Sequence, residues 1–599
     1  MREDPHSCAD LAQARTSNVE LDLRVDFTAR TLAGEAVLRF AAPAQGPLDL
    51  DTRELAIEGI ADLSGTPIAY TLHAPEPILG ARLSLRLPAA CLGVRIRYAT
   101  SPKATALQWL APSQTAGQLH PFLYSQCQPI HARSFAPLQD TPRARVQIRA
   151  AFTVPAMLRA RMGAAFLGRD RSSPGLAVDR FELPQPIPPY LIAFAVGDLA
   201  ERALSPRTSI WAEPKVLEAA AWELAETPRM LETAEALFGP YDWDRYDVLV
   251  LPPAFPYGGM ENPRLTFATP SVLAGDRSLV SLVAHELAHA WTGNLVTNAS
   301  ANDFWLNEGF TVFAERRIVE ALYGRERAEL ASAAGRHELS VSLRRFRDRP
   351  QLTRLRTDLS GVDPDQVYSS IPYEKGYLFL RRLEDLSGRA AFDRFLRAYL
   401  TRFRFQSITT AQFLAALEQE LPGLAERARA AEWIDGPGIP ADAPEPASAR
   451  LSALVSLARA AERGALPSPD ESALLARRPE ELLVFLQQLA ESEAPVPAAT
   501  CAALEAMFSL RGRKSLELRT AFLLPALRAK VPGAAQEAAG AVRETGRMKF
   551  LRPLYGALAR DPATRALAEE TYAQAKPSYH PIARGVIEAV LAAAAAGDA

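Results

Sequence analysis

The string HELAH at residues 285–289 places His285 and His289 four positions apart. On a helix, residues at i and i+4 lie on the same face, so both imidazoles can bind one metal ion. Glu286 stands beside them without being a ligand, where a carboxylate can act as the general base toward water. Eighteen residues separate His289 from Glu308, the predicted third ligand. Two imidazoles, one carboxylate and an open fourth position form the ligand set of a catalytic zinc ion. The pattern therefore predicts a metal-dependent hydrolase.

A surface helix that carries one glutamate and two histidines is the competing interpretation of this string. The neighbouring residues argue against it, because Leu282, Val283 and Leu287 make the segment apolar around most of a helical circumference. Buried imidazoles and carboxylates need partners, and a metal ion supplies them. The His337-Glu338 pair offers a comparison within the chain. It has no second histidine and lies among arginines, which predicts a solvated helix without a metal.

Size and composition fit a large soluble enzyme. The 599 residues exceed one hydrophobic core, so three or four domains are expected. A net charge of −2 gives no electrostatic case for nucleic acid or an anionic membrane. The first residues hold no apolar secretion-type segment, and no run of about 18 apolar residues follows, so no membrane insertion is predicted. Four cysteines without CxxC spacing favour a reducing compartment, and a cytoplasmic location is expected.

The sequence pattern changes along the chain and predicts a multidomain α+β fold. Short alternating runs such as 19–25, 83–87 and 94–98 predict antiparallel strands with one solvated face. A mixed region follows, with a helix predicted over 215–238 and a buried strand over 246–251. The expected division is an N-terminal β domain (1–199), a catalytic domain (200–435), a proline-rich linker (436–446) and a helical domain (447–599).

Two further segments could take part in chemistry. The segment YGGME at 257–261 pairs glycines with a carboxylate, which suits a strand that a peptide substrate approaches closely. A tight turn with an exposed glutamate is the alternative. Downstream, Tyr368 and Tyr373 lie near a predicted helix start. Phenols donate hydrogen bonds to a developing oxyanion, but tyrosine is also an ordinary core residue.

Together these segments resemble the M1 family of zinc aminopeptidases. The order of GGMEN, HELAH, a distant NEG at 307–309 and then a tyrosine is specific to it. The match is closer to the leukotriene A4 hydrolase group, on residues 125–131 (SQCQPIH), 363–365 (DPD) and 546–550 (GRMKF). The resemblance spans nearly the whole chain. It implies a β-sandwich-like N-terminal domain, a thermolysin-like catalytic domain and a C-terminal α-helical domain of armadillo or HEAT type.

The resemblance also implies a reaction. One zinc ion per chain would be bound by His285, His289 and Glu308. Glu286 would take the proton of the attacking water and return it to the leaving amine, and Tyr373 would hydrogen-bond the oxyanion. The expected activity is that of an aminopeptidase, which releases the N-terminal residue from peptides with a free N-terminus.

Substrate binding is assigned by the same resemblance. The residues implied around the amino end and backbone of a peptide are Gln128, Tyr257, Gly258, Gly259, Met260 and Glu261. Glu261, helped by Gln128, would bind the free α-amino group and make the enzyme an exopeptidase. Arg547 and Lys549 would bind the carboxylate of a short peptide, so di- and tripeptides are the expected substrates. By local sequence alone, Arg547 would be an ordinary surface arginine.

Two alternatives remain open. In the leukotriene A4 hydrolase group the same zinc site also opens a lipid epoxide, and the resemblance associates Asp365 and Tyr368 with that substrate. Asp365 can equally shape a peptide pocket or cap a helix. Ala301 stands where vertebrate members are expected to carry a tryptophan near the pocket, so a wider pocket is expected. A non-catalytic binding protein is the second alternative, which the complete set of catalytic residues disfavours.

Overall fold

The structure is a computed structural model that describes residues 3–492 and 494–596. The outer limits of the first and last predicted domains, residues 1 and 599, lie outside the described residues. In chain order the strands are β1 (Thr16–Asp26), β2 (Thr31–Thr52), β3 (Ala56–Asp62), β4 (Tyr70–Leu72), β5 (Ala81–Ala99), β6 (Leu107–Leu110), β7 (Phe122–Ser125), β8 (Val146–Pro155), β9 (Arg159–Met162), β10 (Ala165–Asp170), β11 (Leu176–Ile187), β12 (Phe194–Gly197), β13 (Ala200–Ser205), β14 (Thr208–Ala212), β15 (Asp247–Val250), β16 (Gly259–Met260), β17 (Leu265–Ala268), β18 (Val296–Asn298) and β19 (Gln406–Ile408).

Two sheets fill the N-terminal part of the chain. The larger has the order β10-β11-β8-β1-β2-β5-β3, with β4 also paired to β5, and the smaller has the order β6-β7-β12-β9. Alternate residues of β1, namely Val19, Leu21 and Leu23, are buried as the period-two pattern predicts. Phe152 on β8 packs against Phe194 on β12 with ring centroids 4.7 Å apart, which joins the two sheets in one core.

Strand β5 differs from the sequence prediction. The two predicted runs, 83–87 and 94–98, lie on one strand. Its buried positions are odd-numbered as far as Leu87 and even-numbered from Val94. Between them Ala90 has a φ of 55° and the register with β2 shifts, so an extra residue returns the second run to the core face. A bulge of this kind makes one long strand look like two short ones in the sequence.

A five-stranded mixed sheet begins the catalytic region. Its order is β13-β14-β15-β17-β16, in which β14, β15 and β17 run parallel and β16 pairs antiparallel at the edge. The predicted strand over 246–251 is β15. The predicted helix over 215–238 is two helices with a turn at 224–226, because Pro228 begins a new helix and cannot continue the previous one.

The rest of the chain is mainly helical. The helices are α1 (Pro214–Glu223), α2 (Thr227–Phe238), α3 (Val280–Ala288), α4 (Trp305–Tyr323), α5 (Arg325–Arg345), α6 (Pro364–Val367), α7 (Gly376–Ser387), α8 (Arg389–Arg402), α9 (Thr410–Glu420), α10 (Leu424–Arg427), α11 (Ala430–Ile434), α12 (Ala449–Glu462), α13 (Pro469–Arg477), α14 (Pro479–Ala490), α15 (Ala498–Phe508), α16 (Leu516–Arg528), α17 (Ala534–Arg543), α18 (Met548–Arg560), α19 (Arg565–Ala575) and α20 (Pro581–Ala596). Within the described ranges, no helix is long and apolar enough to cross a lipid bilayer.

Helix α5 connects the catalytic region to the C-terminal helices. Leu330 on α5 belongs to the same apolar cluster as residues of α12, α14 and α16. His337 Nδ1 lies 2.8 Å from Glu491 Oε1, just beyond α14. The prediction of a solvated helix around His337 is therefore wrong, because the C-terminal helices cover a face that looks polar in the local sequence.

Candidate metal centre and active site

Helices α3 and α4 carry the predicted metal ligands. His285 lies in the last turn of α3, His289 caps its C-terminal end, and Glu308 lies in the first turn of α4. Helix α4 is buried along most of its length, and its buried residues lie on every side of the helix. His289 and Glu308 are each 2% exposed. Two packed helices therefore fix the three ligands from opposite sides.

The three ligand atoms converge on one point. The Nε2 atoms of His285 and His289 are 3.2 Å apart, and each lies near Glu308 Oε2, at 3.4 and 3.5 Å. Ligands held about 2.0–2.1 Å from a tetrahedral zinc ion are about 3.3–3.4 Å from one another. The spacing of these atoms therefore fits a zinc ion at their centre.

The surrounding hydrogen bonds leave the two Nε2 atoms and Glu308 Oε2 free to bind a metal ion. His285 Nδ1 donates to Glu315 Oε2 at 3.1 Å, and His289 Nδ1 donates to the Thr292 carbonyl at 3.0 Å. With Nδ1 as the donor, Nε2 keeps its lone pair for a metal. Glu308 Oε2 is buried, and no hydrogen-bond donor within the described ranges reaches it. A metal ion among these atoms satisfies all three.

Several buried carboxyl groups lie close together around this point. Burial, followed by the nearby carboxylates of Glu308 and Glu286, raises the pKa of Glu261 well above its ordinary value. Burial raises the pKa of Glu286 to about 8, although His285 opposes the shift. Burial and His285 lower the pKa of His289, which favours the neutral ring that binds metals. Buried carboxylates close together favour a dication and a cationic substrate group as partners.

Edge strand β16 lies against the general-base candidate. Gly259 pairs with Ala268 on β17, and its other edge faces the cavity. A Cβ at Gly259 would lie 2.6 Å from Glu286 Cγ, so glycine is what allows this close approach. Met260 is an exception among the predicted substrate contacts. It is 2% exposed, its side chain does not line the cavity, and alternation along the strand turns it away from the face of Gly259 and Glu261.

Gly259→Ala is expected to lower kcat by about 10²-fold, because the added methyl group displaces the Glu286 carboxylate and misplaced catalytic groups lose rate steeply. The matched control is Gly585→Ala, since Gly585 also lines the cavity but a Cβ there meets no atom within 4 Å. Steady-state kinetics and thermal melting of both variants check the prediction. Full activity in Gly259→Ala would contradict the assigned position of Glu286.

Glu261 is held on two sides. Its Oε1 accepts a hydrogen bond from Gln128 Nε2 at 3.3 Å, which brings the N-terminal sheets into the site. Its carbonyl accepts from Asn294 Nδ2 at 2.6 Å. One carboxylate oxygen lies within 4.8 Å of ligand atoms of Glu286 and His289. That alternative trio lacks a second imidazole, so His285, His289 and Glu308 form the better zinc site.

The two predicted tyrosines lie together beside the metal ligands. The phenol oxygens of Tyr368 and Tyr373 are 3.0 Å apart, and the ring of Tyr373 stacks on His285 with centroids 6.0 Å apart. A π-helical turn over Ile371–Lys375 positions Tyr373 ahead of α7. Turns of this kind are frequent at functional sites. Tyr257 completes the group, with its ring centroid 5.6 Å from that of Tyr368.

Asp365 faces the cavity and does not cap α6. The cap is Asp363, whose side chain accepts from the Asp365 amide. Asp365 Oδ2 lies 2.8 Å from His131 Nε2, while His131 Nδ1 contacts Thr105 Oγ1 at 2.9 Å. Ala301 is not among the cavity-lining residues, so the expected widening of the pocket at that position is not supported.

Arg547 and Lys549 lie on the C-terminal side of the site. Arg547 is 8% exposed and is therefore not the surface residue that its local sequence suggests. Its Nη1 is 3.1 Å from Glu517 Oε1, and Lys549 Nζ is 3.0 Å from Glu517 Oε2 and 2.8 Å from Glu338 Oε1. Two carboxylates thus offset much of the charge of these two cations.

A single cavity of about 2110 Å³ connects these residues. The predicted site residues that line it are Gln128, Tyr257, Gly258, Gly259, Glu261, His285, Glu286, His289, Glu308, Asp365, Tyr368, Tyr373, Arg547 and Lys549. Sequence reasoning missed Glu315, which orients His285, and His131, which contacts Asp365. Glu315 could have been found, because it follows Glu308 by two helical turns on the same face of α4. His131 carries no such local signal.

Comparison with known proteins agrees with this geometry. Residues 222–431 match the sequence model described as the peptidase family M1 domain, and residues 478–591 match the C-terminal domain of leukotriene A4 hydrolase. The chain is 39% identical over 598 residues to a leukotriene A-4 hydrolase of Xenopus laevis, with 97% of each chain covered. This chain belongs to peptidase family M1.

Other relatives place it in the leukotriene A4 hydrolase group of that family. It is 36% identical to leucine aminopeptidase 2 of Emericella nidulans, with 98% of this chain and 97% of the relative covered. A structure of yeast LTA4 hydrolase in complex with bestatin superposes with a TM-score of 0.90 at 30% identity, covering 98% of this chain and 97% of the other. The predicted three-domain fold and the class of M1 zinc metallo-aminopeptidase are confirmed.

Proposed function

We propose that this protein is an aminopeptidase that releases N-terminal residues from short peptides, with di- and tripeptides preferred. The observation that carries the proposal is the position of Glu261, whose carboxylate lies within 4.8 Å of the Glu286 carboxylate and a ring nitrogen of His289. A buried carboxylate at that position favours a cationic partner. The α-ammonium group of a peptide supplies one, whereas an internal peptide bond carries no such charge.

The reaction follows from the groups around Glu261. His285, His289 and Glu308 would hold one zinc ion per chain, which would supply a Lewis acid and lower the pKa of a bound water to about 7. Glu286 accepts the proton of the attacking water and returns it to the leaving amine. Gly258 and Gly259 let the substrate backbone approach the edge of β16, and exposed strand edges accept extended peptides.

Arg547 is assigned to bind the C-terminal carboxylate of a short peptide. Its Nε is buried and has no hydrogen-bond partner within the described ranges, and a Cβ at Gly258 would lie 2.7 Å from its Nη2. The guanidinium group therefore borders the strand along which the peptide is expected to bind. Planar guanidinium groups bind carboxylates in a bidentate manner, so both ends of a di- or tripeptide would be held.

Tyr373→Phe is expected to lower kcat by about 10²–10³-fold with little change in KM. The phenol would bind the oxyanion, an interaction made mainly in the transition state. Burial raises the pKa of Tyr373 well above its ordinary value, so the phenol keeps its proton for donation. Steady-state kinetics on one unblocked tripeptide measures the change. A decrease in kcat of less than tenfold would contradict the assignment of Tyr373 to the oxyanion site.

The direct test compares an unblocked tripeptide with its N-acetylated form. Acetylation removes the charge that Glu261 would bind, and breaking a buried charged contact costs about 2–5 kcal/mol. The acetylated peptide is therefore expected to show a kcat/KM lower by about 30-fold or more. A C-terminally amidated tripeptide is the matched control for loss of charge at the other end. Equal rates for free and acetylated peptides would overturn the exopeptidase assignment.

Hydrolysis of a lipid epoxide is the second candidate function. It is favoured by Asp365 and Tyr368, which line the same cavity, and by the contact of His131 with Asp365. The name of the Xenopus laevis relative points to the same chemistry. Incubation with a lipid epoxide and detection of the diol by mass spectrometry is the test. Diol formation no faster than in the absence of protein would eliminate this candidate.

A further inference from the structure

Two arginines from different domains meet on the cavity wall beyond Lys549. Arg552 lies on α18 one turn after Lys549, and Arg345 lies in the last turn of α5. Arg345 Nη1 donates to the Tyr368 carbonyl at 2.7 Å, and Arg552 Nη1 approaches the same oxygen at 3.5 Å. Both side chains line the cavity. The shared carbonyl holds the two guanidinium groups side by side.

The positive charge of this pair is not offset. Among the described residues, neither guanidinium has a carboxylate within ion-pair distance, whereas Arg547 and Lys549 share Glu517. Burial lowers the pKa of Arg552, and no carboxylate raises it. Arg345 is exposed toward the cavity, and partial desolvation by the surrounding protein, followed by the charges of Arg552 and Arg349, lowers its pKa to about 9. An anion bound between the pair would stabilise both charged forms.

A structural role accounts for only part of this arrangement. An arginine near a helix C-terminus interacts favourably with the helix dipole, and Arg345 also donates a hydrogen bond to the Gln366 carbonyl at 2.7 Å. That explains one residue of the pair. It does not explain why Arg552, from the C-terminal domain, approaches the same carbonyl without a carboxylate partner.

The pair lies on a path that leads outward from the reaction centre. The Tyr368 phenol oxygen is 3.0 Å from that of Tyr373, while the backbone carbonyl of Tyr368 contacts the two arginines. One tyrosine therefore separates the pair from the metal-site group. An extended peptide advances about 3.3 Å per residue, and one turn of α18 covers about 5.4 Å. A peptide that passes Lys549 would reach Arg552 within one or two further residues.

We propose that Arg345 and Arg552 form a second carboxylate subsite, which binds an acidic side chain or the C-terminal carboxylate of a peptide that extends past Arg547. The proposal rests on the aminopeptidase function and deepens it by naming the substrate class. Guanidinium groups bind carboxylates through paired, charge-assisted hydrogen bonds, which makes such a site selective for that group.

The experiment uses three kinds of peptide, all of equal length and with the same N-terminal residues. One is neutral and amidated, one is amidated with a glutamate scanned from the third to the sixth position, and one is neutral with a free C-terminus. kcat/KM is measured for the wild-type protein and for the variants Arg345→Gln, Arg552→Gln and Arg344→Gln at constant ionic strength. Arg344 is the matched control, because it is an arginine at the same end of α5 that also lines the cavity and, within the described part of the chain, donates a side-chain hydrogen bond to Ser340 Oγ alone, at 3.3 Å.

The wild-type protein is expected to favour a carboxylate peptide about tenfold over the neutral amide, since a hydrogen bond to a charged group is worth about that much. Arg345→Gln and Arg552→Gln should bring the ratio close to one, and Arg344→Gln should keep it. The two carboxylate peptides show whether the side chain or the C-terminus is bound. No wild-type preference, a preference retained in both variants, or an equal loss in Arg344→Gln would overturn the subsite.

A binding measurement separates this proposal from the proposed function. The same peptides are titrated into the zinc-loaded Glu286→Gln variant by calorimetry, so that no turnover is needed. Tighter binding of a carboxylate peptide, without cleavage of any peptide by the wild-type protein, would retain the subsite and reject the aminopeptidase. Equal binding of all three peptides would reject the subsite even if the wild-type protein cleaves them.

Discussion

Glu286→Gln is expected to lower kcat on an unblocked tripeptide by about 10⁴-fold, the upper end of the range for general acid–base catalysis. Both proton transfers are assigned to this carboxylate, and glutamine has the same shape but cannot accept a proton. Zinc content should stay at one ion per chain, because Glu286 is not among the three converging ligands. Stopped assays of the free amino acid, with metal analysis of the same sample, measure both quantities.

Glu315→Gln is the comparison for this variant. Glu315 is also a carboxylate of the centre, but it accepts a hydrogen bond from His285 Nδ1 at 3.1 Å and so acts through that ligand. Loss of such an outer contact typically weakens metal binding by about 10–100-fold. If Glu286→Gln retained wild-type turnover, the assignment of both proton transfers to Glu286 would be wrong.

Glu308→Ala is expected to abolish tight zinc binding and, with it, hydrolysis. It removes the only carboxylate of the ligand trio and leaves a gap at a residue that is 2% exposed. Zinc at about a thousandfold above its Kd adds about 4 kcal/mol to the free energy of unfolding of a protein that binds it only when folded. The wild-type melting temperature should therefore rise when zinc is added to stripped protein, and that of the variant should not.

The matched control for Glu308→Ala is Glu320→Ala. Glu320 lies on the same helix α4 but pairs with Arg389 near the surface, with an N–O distance of 2.7 Å. Exposed ion pairs contribute little to stability, so this variant should keep both zinc and activity. Zinc-dependent stabilisation of Glu308→Ala equal to that of the wild-type protein would assign the metal to other ligands.

The sequence predicted the parts of the structure that depend on local pattern. The alternation in β1 and the apolar surroundings of HELAH are local signals, and the geometry of α3 follows from helical periodicity alone. Residues that act through distant contacts could not be predicted in this way. Glu517 and Glu338 offset the charges of Arg547 and Lys549 from two other helices, and His131 contacts Asp365 across 234 positions of sequence.

A shift, within one strand, in which alternate residues face the core was also not predicted from the sequence. The bulge in β5 changes which residues face the core, and nothing in the alternation of either run shows that the two belong to one strand. Met260 shows a related limit. The segment YGGME was predicted to bind substrate, but the strand turns alternate side chains to opposite faces, so the Met260 side chain packs in the core.

One metal centre is proposed to release the N-terminal residue of a peptide with a free amino group. The most direct measurement is the rate at which the first amino acid is released from an unblocked tripeptide, before zinc is removed by a chelator, after its removal, and during titration back to one equivalent. We expect hydrolysis to disappear when zinc is removed, to return at one ion per chain, and to yield the N-terminal amino acid first. Undiminished hydrolysis after complete removal of zinc, or initial release of an internal fragment, would contradict it.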